Sequence, residues 1–287
     1  MSEMSEAIQT LDDVRVRERR VIFVEQATSD DVVLMTFKDP APRVAILVET
    51  AAKATHDGAA DANGGGLEVT LLPPSLPLSA APQMAVYEAE WLGKASGTGV
   101  PPVLVKYRGV ELMWRPGHAL LHCDPEQAEA LLSAVVEFAY YEGELRRTEN
   151  EIAAAWAELE QDKGLAFAVT KADLKRSEAV GGRMSRALER RIRMARIEPH
   201  LYEPDARLPA ASQKLGEELR EKARIESRLE TVDAQIEVFE DIYEMGGQRM
   251  GEFRASAEEH VLEWIIIVLL GGELLLLLAQ EIWRFGT

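Results

Sequence analysis

Apolar residues recur with a short period in the first third of this chain, with a longer one in its middle, and without a break near its end. Arg20-Val-Ile-Phe-Val-Glu25, Asp31-Val-Val-Leu-Met-Thr-Phe37, Arg43-Val-Ala-Ile-Leu-Val-Glu49 and Leu67-Glu-Val-Thr-Leu-Leu72 are short, β-branched and separated by turn residues, so each predicts a strand. Val110-Glu-Leu-Met-Trp114 and His118-Ala-Leu-Leu-His122 flank a Pro116-Gly117 pair. Pro116 presets φ and Gly117 accepts the positive φ of a type II turn, which predicts a hairpin. Residues 56–66, rich in Gly, Ala and Asp, hold too little apolar area to pack and read as a flexible loop; the Pro-rich stretch 73–82 reads as stiff. Residues 1–123 are therefore expected to form an α+β soluble domain dominated by strands.

At Asp124 the period changes to that of a helix. Asp124 suits the N-cap and Pro125 the first helical position. Ala128, Leu132, Val135, Ala139, Leu145, Ile152, Trp156 and Leu159 then make a stripe to about Lys163. A helix of that length needs a partner. Ile225, Leu229, Val232, Ile236, Phe239 and Tyr243 alternate spacings of four and three, a heptad seam on a helix expected from about Pro209 into the end of the chain. Residues 124–260 thus predict a helical hairpin or coiled coil, with Gly246, Gly247 and Gly251 as an interruption or hinge.

The third pattern is continuous. Trp264, Ile265, Ile266, Ile267, Val268, Leu269 and Leu270 lead to Gly271, Gly272 and Glu273, and Leu274 and Leu275 carry the run on toward Trp283. Between Trp264 and Ala279 the only ionisable side chain is Glu273. The stretch between Glu263 and Glu281 rises about 25 Å as a helix, close to the hydrocarbon thickness of a bilayer, and Trp264, Trp283 and Arg284 sit where an interfacial girdle belongs. Residues 261–283 are expected to be a transmembrane anchor, with the chain tail-anchored. An ionised, unpaired Glu273 near the bilayer centre costs roughly 2.5 to 3.5 kcal/mol, so a homo-oligomer in which subunits share a hydrogen bond there is expected.

Composition narrows the setting. No apolar run opens the sequence, so no signal peptide is expected and the bulk of the chain should lie on the cytoplasmic side, or the matrix side in an organelle. Arg249 and Arg254 before the run outnumber Arg284 after it, in keeping with that orientation. Cys123 is the single cysteine, which fits a reducing compartment. A net charge of −17 disfavours general attraction to DNA. Against that background residues 171–196 are strongly basic. Such a block is usually a helix face paired with neighbouring carboxylates; the sharper reading is that Arg183, Arg186, Arg190 and Arg193 dock a protein or ribonucleoprotein partner.

Catalytic chemistry finds no foothold. Gly93-Lys94 resembles the end of a phosphate-binding loop, but Glu88 stands at the first glycine position and Ala95 at the hydroxyl position. Ser96 sits in no nucleophile elbow. His118, His122 and Cys123 resemble metal ligands, yet on a strand the two histidines lie about 13 Å apart, too far for one ion. No catalytic residue, metal or cofactor is expected.

Leu262-Glu-Trp-Ile-Ile-Ile-Val-Leu-Leu270 followed by Glu273 resembles the C-terminal signature of the "required for meiotic nuclear division" family. The helix holding Arg228-Leu-Glu-Thr-Val-Asp233 and Phe239 occupies the matching place upstream, and Tyr107-Arg-Gly-Val-Glu-Leu-Met-Trp114 is similar to a strand of that family. The resemblance covers the final third; the family's central Ala-Leu-Ala-Gln-Ser-like motif has no counterpart here. It implies a coiled coil with a membrane anchor and a non-enzymatic role, which in mitochondrial members is tethering ribosomes to the inner membrane. The expectation is a membrane scaffold or tether that oligomerises and recruits a partner, possible translation included. The alternative is a membrane-bound enzyme or ligand sensor with its pocket in the N-terminal domain.

Overall fold

The structure, a computed structural model, describes residues 17–48, 66–72 and 101–285, with side chains as far as Leu277. The loop expected at 56–66, except Gly66, lies outside the described residues, as do the whole Pro-rich stretch 73–82, Gly93-Lys94 and Ser96. The strands are β1 (Arg17–Val24), β2 (Val32–Phe37), β3 (Arg43–Val48), β4 (Gly66–Leu72), β5 (Val103–Tyr107), β6 (Val110–Arg115) and β7 (His118–His122). They form one sheet in the order β2-β3-β1-β4-β7-β6-β5. Every pairing is antiparallel except that of β4 with β7.

Register follows from what must be buried. Leu71 lies opposite Leu121, Leu121 opposite Leu112, and Leu112 opposite Val105, so one apolar row crosses from β4 to β5. Two tight turns fix that half of the sheet. Arg108 and Gly109 both have positive φ (46° and 83°), the combination of a type I′ turn joining β5 to β6. Gly117 has φ of 79°, as a type II turn requires, between β6 and β7.

Among the described residues the helices are α1 (Ala128–Asp162), α2 (Ser177–Tyr202), α3 (Ala210–Lys222) and α4 (Ile225–Phe285), with 3₁₀ turns at Lys163–Ala166 and Asp173–Arg176. The class is therefore α+β: a strand-rich first part, long helices, and one long apolar C-terminal helix. Asp124 Oδ1 accepts the Glu126 backbone N–H at 3.0 Å and starts the turn that leads into α1. The expected helix from Pro209 is two helices, because Arg224 takes the left-handed conformation at φ 53° and ends the first one. Most of the basic segment, from Ser177 on, lies in helix α2, and Asp173–Arg176 is a 3₁₀ turn before it.

The contacts divide the chain into two compact units, Met1–Glu151 with Arg191–Asp233, and Ile152–Arg190 with Ala234–Thr287. In the first, α1 lies on the sheet through aromatic rings: Phe37 stacks on Tyr140 at 3.9 Å and Trp114 meets Phe138 edge-on at 4.8 Å. The Tyr140 hydroxyl donates to the Ala41 carbonyl at 3.2 Å. The second unit has its own core, where Ile152, Leu159, Val180, Ile236 and Phe239 are buried and Trp156 meets Phe239 edge-on at 5.0 Å.

Gly246, Gly247 and Gly251 do not interrupt α4, which runs unbroken from Ile225 to Phe285. Gly246 serves close packing instead: a Cβ placed there would stand 3.3 Å from the Leu165 Cβ.

Candidate functional site: an uncovered apolar helix and a paired set of arginines

The C-terminal half of α4 has the length and composition to cross a membrane, with a mean hydropathy of 2.0 over its most apolar 18 residues and none of that stretch buried. From Val261 to Leu277 the large apolar side chains are 49% to 70% exposed. In water each would forgo the roughly 1.5 to 3 kcal/mol that burial of such a side chain provides. Among the described residues nothing covers them, and hydrocarbon is a favourable solvent for such a stretch. Trp264, Ile265, Ile266, Ile267, Val268, Leu269, Leu270, Leu274 and Leu275 all lie in this exposed stretch, and Glu273 is exposed among them. Trp283 belongs to the helix, beyond the last described side chain. Just before the run, His260 Nδ1 lies 3.2 Å from Glu263 Oε2, a polar pair ahead of the first apolar turn.

The heptad seam is filled from within the chain. Ile225, Leu229, Val232, Ile236, Phe239 and Tyr243 are between 1% and 4% exposed. Leu229 and Ile236 are consequently closed to contact with another molecule in this fold.

The arginines of the basic segment mostly face carboxylates. In the second unit Asp162, fully buried, pairs with Arg176 at 2.6 Å and with Arg183; Glu158 pairs with Arg183 at 3.2 Å and with Arg186 at 2.9 Å. In the first unit Arg193 pairs with Glu151 at 2.9 Å, Arg191 pairs with Asp233, and Arg196 donates to the Pro40 carbonyl at 3.1 Å. Arg190 is buried. Positions 180, 183, 187, 190, 194, 197 and 201 form the inward face of α2, so Arg183 and Arg190 stand where a heptad would hold apolar residues.

A second ionic set, which the sequence reading did not anticipate, lies in the first unit. Arg228 bonds Glu149 through Nε and a terminal nitrogen, both at 2.8 Å, and Glu142 at 2.9 Å; Glu142, almost wholly buried, also pairs with Arg146. Nearby in sequence, buried Glu137 accepts the Asp205 backbone N–H at 2.9 Å and stands 3.5 Å from Arg220. Burial raises the Glu137 carboxyl above its ordinary range, and Arg220 and the Asp205 hydrogen bond oppose that rise. Arg220 in turn donates to the carbonyls of His200 and Gly216. These groups tie the connection between α2 and α3 to α1.

His118 and His122 occupy the two ends of β7, and Cys123 follows. His118 Nδ1 lies 3.4 Å from Glu68, while His122 is buried with neither ring nitrogen hydrogen-bonded. Burial, then the neighbouring Asp124, pushes the Cys123 thiol up to about 11, the range of an inert thiol rather than a metal-binding thiolate. Among the described residues no three such side chains gather to hold a metal ion. A cavity of about 210 Å³ opens between the β5–β6 turn and α3, lined by Tyr107, Arg108, Val110, Gln127, Leu131 and Leu215. It falls below the ~300 to 1,000 Å³ of ordinary small-molecule sites.

No family model, curated protein or solved structure matches the chain.

Proposed function

We propose that this protein is a membrane-anchored scaffold: the end of α4 crosses a bilayer once, and the sheet-bearing unit works on the cytoplasmic or matrix side, where it recruits a partner. The uncovered apolar length of α4 is the observation that carries this reading. Arg249 and Arg254 on the near side of the run support the orientation. A translation-related partner is the form of the proposal that the resemblance of the Leu262–Leu270 segment supports.

The test is extraction. The full chain should pellet with membranes and resist alkaline carbonate, whereas a chain ending at Ala257 should be recovered without detergent. Detergent-free recovery of the full chain would overturn the anchor. Affinity capture of the full chain from solubilised membranes should bring down a stoichiometric protein or ribonucleoprotein partner, and capture of the bare chain at every salt concentration would overturn the scaffold.

A further inference from the structure

We infer that Glu273 is the contact through which two copies of the membrane helix associate, an inference that rests on the anchoring of α4 in a bilayer. Glu273 is exposed within the uncovered apolar stretch, and among the described residues α4 is the one helix able to cross a membrane. Among the described residues its carboxyl therefore has no second span to pair with. A carboxyl group in hydrocarbon needs a hydrogen-bonding partner at its own depth. Two copies inserted in the same sense meet that need by symmetry, since each brings an identical carboxyl to the same level.

The helix face around Glu273 is otherwise fit for contact. Ile266, Leu269, Leu276 and Leu277 stand seven, four, three and four residues from it and share its side of the helix. A span of a different protein would have to bring a basic or amide side chain to the same depth; a second copy has the match built in.

The experiment uses the full chain, reconstituted in lipid vesicles in a Cys123→Ala background. Under mild oxidation, Leu269→Cys and Leu276→Cys should crosslink as dimers, while Val268→Cys and Leu275→Cys, off that face, should not. Adding Glu273→Leu should weaken association roughly three- to tenfold, and Glu273→Gln, which still donates and accepts, should keep it. Both variants should resist carbonate extraction as the parent does. Equal crosslinking at all four positions, or crosslinking indifferent to Glu273→Leu, overturns the inference. So does a monomeric parent that instead retains a different membrane protein, lost on Glu273→Gln. Failure of the parent itself to resist carbonate would refute the anchor, a separate result.

Discussion

Arg228 satisfies two glutamates of α1, seven residues apart on one helix face, with its three nitrogens each within 2.9 Å of an acceptor. Burial works against the charge on Arg228, and the Glu149 and Glu142 bonds more than offset it, so the guanidinium stays ionised above its ordinary value. Glu144, two residues from Glu142 on the same helix, is in the opposite position. Burial lifts its carboxyl above the ordinary value of 4.5, against the pull of Arg147, Arg193 and Arg43. A carboxyl raised in this way gives its full contribution below the unfolded pKa and loses it as pH rises through the folded pKa. Glu144→Gln should therefore melt with the parent below about pH 4.5 and above it at neutral pH. Melting curves that coincide across the whole range would remove burial as the cause. These residues were legible only in part: the 142 and 149 spacing marks one helix face, but nothing local to it points to Arg228, which lies far along the chain.

At the scale of elements, six of the seven strands stand out in the sequence as short apolar runs, and the Pro116-Gly117 turn fixes its hairpin. Strand β5 was missed although Val103, Val105 and Tyr107 alternate, because its turn places Arg108, an unusual residue for positive φ, ahead of Gly109. The bounds of helix α2 were harder to read, though its basic block suggested a helix face: Arg183 and Arg190 on its inward side break the apolar period that would have marked them. The glycines of α4 were misread as a hinge because sequence shows the missing side chain and not what fills its place. Gly247 and Gly251 face open space, so Gly247→Ala and Gly251→Ala should each stabilise the helix by about 0.5 to 1 kcal/mol. Gly246→Val should destabilise by about 1 to 3 kcal/mol, since its Cβ already meets Leu165 at 3.3 Å. Thermal unfolding of the chain ending at Ala257 measures all three, and a loss of stability at Gly247→Ala would restore the hinge.

For the whole molecule the question is what the concentrated positive charge of α2 does in a chain of net charge −17. The sequence suggested a face paired with carboxylates but not which ones, because the acids that face it, Glu151, Glu158, Asp162 and Asp233, come from two other helices. Those pairs engage much of the charge within the fold, which favours the paired-face reading of the block over docking. The consequence can be measured by unequal reversals. Arg183→Glu sets a like charge against fully buried Asp162, and breaking such a pair costs roughly 3 to 5 kcal/mol; Arg176, still bonded to Asp162 at 2.6 Å, should hold the loss to the lower end. Arg186, half-exposed against a half-exposed Glu158, is worth at most about 1 kcal/mol. Arg183→Glu should therefore lower the melting temperature by roughly 5 to 10 °C and Arg186→Glu should barely move it. Partner recovery should follow the folded fraction in both. Loss of partner at an unchanged melting temperature, above all for Arg186→Glu, would return the basic face of α2 to the role of docking surface.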